Sequence, residues 1–281
     1  MRYGVTIFMT DQTIGPSEFA RAVEERGFGS IYIPEHTHIP TSRRTPPPTG
    51  DGELREEYKR TVDPFVALSL MAAATTTVEV GTGILLPAQH EPIVTAKAVA
   101  TLDQMSGGRF VLGIGFGWNE DELASHGVTM RERRAVVRER MLAMQALWRD
   151  DVAEFHGEHV DLAPSWSWPK PVRPGGVPVL LGGSAGPKLF AHIAEYGDGW
   201  LPIGGSGVRK ALPDLRRACD AAGRDFAELR IVPFGTVPDP GKLEYYESIG
   251  ITEIVFRVPS AGADVVMPVL DRHASLVSLV A

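Results

Sequence analysis

The segment Arg109 to Glu122, RFVLGIGFGWNEDE, limits what this chain can fold into more tightly than any other. Phe110 to Ile114 is an unbroken apolar run, the pattern of a strand covered on both faces of a parallel sheet. Gly113, Gly115 and Gly117 follow at alternate positions, where backbone can come close to a ligand or another strand. Asn119 and the acidic residues after it then read as a helix start. A dinucleotide fingerprint, G-x-G-x-x-G, does not fit. Its third glycine would fall on Trp118, and no acidic strand end follows about 20 residues later. At least three strand-like runs precede the segment, so these glycines close an internal strand of a longer alternating pattern.

Eight strand candidates alternate with helical patterns. The strands are Tyr3 to Phe8, Ser30 to Ile33, Glu79 to Leu85, Phe110 to Ile114, Val177 to Leu181, Gly199 to Pro202, Arg230 to Thr236 and Glu253 to Val258. Prolines at Pro16, Pro64, Pro92 and Pro187 stand at helix starts, and glycines at Gly27, Gly107 and Gly250 at helix stops. Asp63 before Pro64 reads as an N-cap. In the long helix Arg131 to Trp148, Val137, Met141, Met144 and Trp148 recur on one face, a packing stripe. Eight such units in 281 residues predict one α/β domain over residues 1–281, a closed (β/α)₈ TIM barrel. Two stretches break the rhythm. One is a rim loop over about 37–61, with Pro46-Pro47-Pro48, Gly50 and Gly52, whose length suits a mobile active-site loop. The other is an arm over about 151–176, with a small hairpin around Gly157 and Trp166 and Trp168 packed on the barrel wall.

Composition narrows the function. A net charge of −7 and a pI near 5.6 leave no basic face for a phosphate backbone, so nucleic acid is not an expected partner. No apolar run approaches the roughly 18 residues of a membrane span. The single cysteine, Cys219, sits in a helical pattern as packing, and one cysteine forms no internal disulfide, which suits the cytoplasm. His36-x-His38 after the second strand has metal-ligand spacing. The later strand ends, however, offer Gly, Pro and Ser, so no metal site is expected.

Several motifs occur together in order. They are Glu35-His36 after the second strand, Val80-Gly81-Thr82-Gly83-Ile84-Leu85-Leu86-Pro87, Leu102-Asp103-Gln104-Met105-Ser106-Gly107-Gly108-Arg109, the Leu112 to Glu120 glycine stretch, Phe155-His156-Gly157-Glu158, Leu181-Gly182-Gly183, and Gly197-Asp198-Gly199-Trp200. As a set they resemble the bacterial luciferase-like superfamily, in particular its coenzyme F420-dependent oxidoreductase branch. The resemblance covers nearly the whole chain. One departure lies at Asp239 to Gly250, which holds only a short helix where some members carry a long insertion walling the substrate pocket.

The resemblance implies a deazaflavin cofactor, coenzyme F420, with FMN as the alternative. It further implies hydride transfer to or from a small organic substrate, and a homodimer. A reduced-FMN monooxygenase and a non-catalytic flavin-binding barrel are the competing functions. A histidine suits any accompanying proton transfer, because its side chain titrates near neutrality. By resemblance that residue is His36, with Glu35 beside it at the ring's polar edge. Gly83-Ile84 is implied to carry a non-proline cis peptide behind the ring, a bond seen in well under ~0.1% of cases. Gly182, Gly183 and Ser184, with Gly204, Gly205 and the rest of the loop to Gly207, are implied to receive the cofactor's phosphate end. Asn119 is either a ligand to the ring or its side chain, or an N-cap for the helix through Leu123. Some relatives place a catalytic glutamate near here; Glu120 and Glu122 are close, and neither is assigned that role.

Overall fold

The computed structural model describes residues 1–42, 44–47 and 52–280. Pro48 and Gly50 of the predicted rim loop lie outside the described residues. In chain order the elements are β1 (Arg2–Thr6), α1 (Pro16–Glu25), β2 (Ser30–Ile33), α2 (Pro64–Ala74), β3 (Glu79–Leu85), α3 (Pro92–Ser106), β4 (Phe110–Ile114), α4 (Glu120–Ser125), α5 (Arg133–Arg149), β5 (Ala153–His156), β6 (Asp161–Ser165), β7 (Val179–Gly182), α6 (Pro187–Tyr196), β8 (Gly199–Leu201), α7 (Val208–Ala221), β9 (Arg230–Ile231), β10 (Phe234–Thr236), α8 (Pro240–Ser248), β11 (Glu253–Arg257) and α9 (Ala263–Val280). The start signals act as their chemistry dictates. Asp63 accepts a hydrogen bond from the Val66 amide at 2.9 Å, ahead of Pro64. Glu91 does the same for the Val94 amide at 2.6 Å, ahead of Pro92. Gly107 ends α3 at φ 68°, a left-handed conformation that glycine adopts without steric cost.

Nine strands form one parallel sheet in the order β10-β11-β1-β2-β3-β4-β7-β8-β9. This corrects the expected closed ring of eight. The predicted strand Arg230 to Thr236 is broken in two, and its halves are the two ends of the curled sheet. The break falls at Val232-Pro233, where proline has no N–H for a ladder. Around it, Val232 and Phe234 donate to Trp200 and Pro202 at 2.9 Å each, while Pro233 accepts from the Val255 amide at 2.9 Å. The seam therefore has hydrogen bonds on both sides but no continuous strand. β5 and β6 form the separate antiparallel hairpin anticipated around Gly157.

Two apolar layers result. Tyr32, Val111, Leu180, Leu201, Val232 and Val255 fill the inside of the curl. A larger layer lies between the sheet and its helices and includes the predicted stripe Val137, Met141, Met144 and Trp148, with Cys219 buried on α7. Trp166 and Trp168 differ from expectation. They are 80% and 59% exposed, because the arm is held to α3 through its backbone instead. Val172 donates its amide to Asp103 at 2.7 Å, and Gln104 donates to the Lys170 carbonyl at 2.8 Å.

The strands' N-terminal end is closed by charge. Arg2 and Arg230 donate to Glu79 at 2.7 and 2.9 Å and to Glu253 at 2.5 and 2.6 Å. Ser30 completes the Glu253 carboxylate at 2.8 Å. Burial alone would raise the Glu79 carboxyl, but the two guanidinium groups hold it below its ordinary value.

Glu24 fastens α1 to the entry of β3. Its Oε1 accepts from the amides of Thr76, Thr77 and Val78 at 2.8, 2.7 and 3.2 Å and from the Thr77 hydroxyl at 2.9 Å. Burial acts to raise this carboxyl, yet the bonds from Thr77, Thr76 and Val78 together hold it at about 2, against an ordinary 4.5. A carboxyl depressed on folding contributes stability that is complete above the unfolded value and lost as pH falls through the folded one. Glu24→Gln is therefore expected to be less stable than wild type at neutral pH, with the gap closing between pH ~4.5 and ~2. Urea titrations across that range check this; a gap independent of pH would contradict it.

Candidate active site

The opposite, C-terminal end of the sheet holds a cavity of about 220 Å³. Its apolar wall is Phe8, Ile84, Ile203 and Phe234 from the strand ends, with Tyr58 and Trp118 from the loops. His36, Glu35, Gly83 and Ile84, four of the residues singled out from the sequence, line it together. A larger groove of about 800 Å³ runs between α6 and α7 on the outer face. Its charged residues are already paired, Arg217 with Asp214 and Glu195 with Arg138, and it presents no histidine. The candidate site is therefore the cavity at the strand ends.

The Gly83-Ile84 peptide is cis, as the resemblance implied, and it lies where the β3–β4 register shifts between Thr82 and Leu85. This bulge turns the Ile84 side chain across the ends of β4 and β7. A Cβ on Gly115 would lie 1.9 Å from Ile84 Cδ1, and one on Gly182 would lie 3.0 Å from Ile84 Cγ2. Two of the glycines therefore exist to seat Ile84. Gly83 needs its lack of a side chain for a similar reason, since a Cβ there would sit 2.5 Å from the Phe234 ring.

His36 is 9% exposed and its surroundings fix it at three points. Its ring packs between Tyr58, with centroids 5.4 Å apart, and Trp118, at 5.9 Å. Its backbone amide donates to the Thr61 hydroxyl at 3.2 Å, which in turn donates to the His36 carbonyl at 2.9 Å. Its Nδ1 lies 3.0 Å from both oxygens of Glu122, which is 1% exposed. An ionised carboxylate only accepts, so Nδ1 carries the proton in this contact. Nε2 is then the ring nitrogen left for the cavity.

Glu35 lines the cavity, but the chain engages both of its oxygens. One accepts from the Leu86 amide at 2.8 Å and the other contacts His90 Nε2 at 2.6 Å. Burial acts to lower the His90 imidazole, but Glu35 outweighs it and raises the imidazole above its ordinary value. Glu35 thus braces the end of β3 where the cis peptide lies. Arg257 also reaches the cavity, over the Phe8 ring at 5.6 Å, and pairs with Glu57 of the 3₁₀ turn Glu56–Lys59 at 2.5 Å. That turn carries Tyr58, so part of the predicted rim loop forms one wall of the site.

The remaining candidates lie along the same rim. Asn119 is fully buried and caps α4, its Oδ1 accepting from the Glu122 amide at 3.5 Å. Its Nδ2 is buried without a partner among the described residues, beside the cavity-lining Trp118. Gly182, Gly183 and Ser184 open the loop into α6, and Gly204 and Gly205 open the loop into α7. The two loops are neighbours, because β7 and β8 pair with Gly182 opposite Leu201. They flank the cavity rather than line it. His36 and His38 do not converge: Nδ1 of His38 contacts the Thr37 hydroxyl at 3.0 Å instead.

Glu122, Tyr58, His90, Phe234, Phe8, Ile203 and Arg257 are among the site residues that sequence reasoning did not assign. Asn119 and Glu122 have capping-box spacing, which draws attention to the helix end and away from the cavity. Glu120 and Glu122 are two residues apart, roughly 200° around a helix, so only one of them faces inward. The structure turns Glu120 outward, 3.2 Å from Arg44.

The model of the luciferase-like monooxygenase family matches residues 16–238. The chain belongs to that family. It is 42% identical over 278 residues, 98% of either chain, to an uncharacterized protein of Mycobacterium tuberculosis. It is 32% identical over 220 residues to an F420-dependent glucose-6-phosphate dehydrogenase of Kineococcus radiotolerans, covering 74% of this chain and 59% of that one. Among solved structures, an F420-dependent secondary alcohol dehydrogenase in complex with an F420-acetone adduct superposes at a TM-score of 0.79, with 19% identity over 100% of both chains. The monooxygenase RslO1 of Streptomyces bottropensis does so at 0.80, with 20% identity over 99% of each.

Gly113 and Gly115 make different predictions. A Cβ on Gly113 would lie 2.1 Å from the Thr82 carbonyl oxygen, a backbone atom that cannot swing aside. Gly113→Ala is expected to cost about 3 kcal/mol or more in chemical denaturation. Gly115→Ala meets only the tip of Ile84, so it is expected to fold with a smaller loss and to weaken cofactor binding by displacing that side chain. Equal stability losses in the two variants would contradict this assignment.

Proposed function

We propose that this chain is an F420-dependent oxidoreductase that moves a hydride between the deazaflavin and a small organic substrate. The observation that carries the reading is a buried histidine, His36, held at the cavity by Glu122 and set beside the Ile84 platform. The F420-dependent dehydrogenase relative supports the choice of cofactor. The residues present suit a flat, phosphate-bearing group. Ile84 offers a broad apolar surface, Asn119 Nδ2 is a donor without a partner among the described residues, and two glycine loops lead into the N-termini of α6 and α7.

When bound, a deazaflavin supplies a carbon centre that takes or gives hydride and reacts poorly with oxygen. The chain supplies the rest. Ile84 backs the ring and leaves its other face to the substrate. Phe8, Tyr58, Trp118 and Phe234 keep water from the reacting atoms. A hydroxyl that gives up hydride from its carbon must also give up its proton, and His36 Nε2 is the group we assign to receive it; in the reverse direction His36 returns it.

Separate titrations with F420 and FMN, followed by fluorescence, test the cofactor. The expected result is micromolar F420 binding with much weaker FMN binding. Preferential FMN binding would contradict it and favour a reduced-FMN monooxygenase. With a substrate found by screening, His36→Gln is expected to lower kcat about 100-fold or more and to leave cofactor affinity nearly unchanged. Unchanged kcat would remove the proton role and favour a flavin-binding protein without this chemistry.

The same reading includes a homodimer. What supports it is an apolar patch: α2 contains no charged residue, Val66, Leu70, Ile93, Val94 and Met105 stand exposed on α2 and α3, and the exposed Lys97 of α3 donates to the Trp168 carbonyl. A two-fold contact sets a patch against its own copy, which an uncharged patch tolerates and a charged one does not. Val66→Glu combined with Val94→Glu is expected to halve the mass measured by light scattering; a wild type that is already monomeric would contradict the proposal.

A further inference from the structure

The site contains a carboxylate with no direct part in the proposed chemistry. Glu122 is 1% exposed, yet among the described residues it neither lines the cavity nor pairs with an arginine or lysine. Its partner is His36 Nδ1, 3.0 Å from each oxygen. Such a group must justify its burial, because an ionised carboxylate away from water is costly unless its hydrogen bonds are made.

We propose that Glu122 is a positioning residue that fixes His36 in the Nδ1–H tautomer and so presents an unprotonated Nε2 to the substrate. This rests on the reading of His36 as the proton-handling group. The carboxylate's contact and the packing of the ring both lead to it. An ionised carboxylate accepts and does not donate, so with both Glu122 oxygens 3.0 Å from Nδ1 the opposite tautomer would set two acceptors against each other. Histidine's two nitrogens are coupled in this way: the bond made by one decides which form the other takes. The ring is also prevented from rotating away, since Tyr58 and Trp118 pack on it and Thr61 holds its backbone by both polar atoms.

The helix carrying Glu122 is itself anchored on the opposite side. Asp121 accepts from the Arg44 amide at 2.7 Å and from Arg44 Nε at 2.8 Å. Asn119 caps the helix start. α4 is only six residues long, too short to be stable by itself, so these ties decide where Glu122 stands. Arg44 thus ties down α4, and Thr61 ties down the His36 backbone.

The test is ¹⁵N and ¹H NMR of the protein labelled on histidine, at mildly alkaline pH, with the His36 signals assigned by their loss in His36→Gln. In wild type the neutral ring is expected to show a protonated, pyrrole-type Nδ1 and a pyridine-type Nε2. Predominance of the Nε2–H form would overturn the proposal whatever the variants do, so it does not depend on a variant folding. Glu122→Gln keeps the shape but offers an amide that both donates and accepts. It is expected to erase the tautomer preference and lower kcat by about 100-fold or more, with cofactor affinity changed less than about threefold. Persistence of the Nδ1–H form in Glu122→Leu, which leaves no acceptor beside Nδ1, would overturn the proposal, because the tautomer would then be set by something else. If His36→Gln leaves kcat intact, the proton-handling reading fails instead, and the wild-type tautomer still reports whether Glu122 holds the ring.

Discussion

The ion cluster at the N-terminal end of the sheet is the constraint on which the rest of the structure depends. Arg230 on β9 and Glu253 on β11 stand on opposite sides of the seam, and their contact at 2.6 Å joins them where no continuous strand does. Glu79 on β3 and Arg2 on β1 extend the cluster across the inside of the curl. Each carboxylate receives both guanidinium groups, so each charge of the cluster is paired. A buried pair stripped of one partner leaves a stranded charge, which is strongly destabilising. With that end plugged by charge and the middle packed with Tyr32, Leu180 and Val255, the opposite end is free to open into a cavity.

That opening is shaped by small residues as much as by large ones. The cis bulge at Gly83-Ile84 sends Ile84 sideways over Gly115 and Gly182, so three neighbouring strands meet in one apolar platform. Glu35 braces the bulge through Leu86 and His90, while Glu122 braces His36. The two adjacent residues Glu35 and His36 thus face the same cavity in different capacities: one holds the floor, the other is held by Glu122. Family membership fits this arrangement, because a barrel-like sheet fixes strand ends firmly and leaves the loops to vary.

Much of the fold was legible in the sequence because its signals are local. Asp63-Pro64 and Pro92 announce helices through bonds made within a few residues, and the α5 stripe repeats at helical spacing. The interruption at Pro233 was equally local and was still passed over, because the run from Arg230 to Thr236 is apolar enough to read as one strand. In the site, His36, Glu35, Gly83 and Ile84 were legible through resemblance, since the motif order carried them. Glu122 was not. Its partner is 86 positions away, and the sequence around it reads equally well as a capped, acidic helix start. His90 was hidden for the same reason, 55 positions from Glu35. Local periodicity says which face of an element is buried, but not which distant side chain awaits it there.

The most direct measurement is a crystal structure of the protein with F420 bound. The account predicts the ring lying on Ile84 within the cavity, His36 within reach of the substrate face, and the phosphate end at the loops of Gly182 to Ser184 and Gly204 to Gly205. F420 bound in the outer groove between α6 and α7, or bound in the cavity with His36 turned away from Glu122, would contradict it.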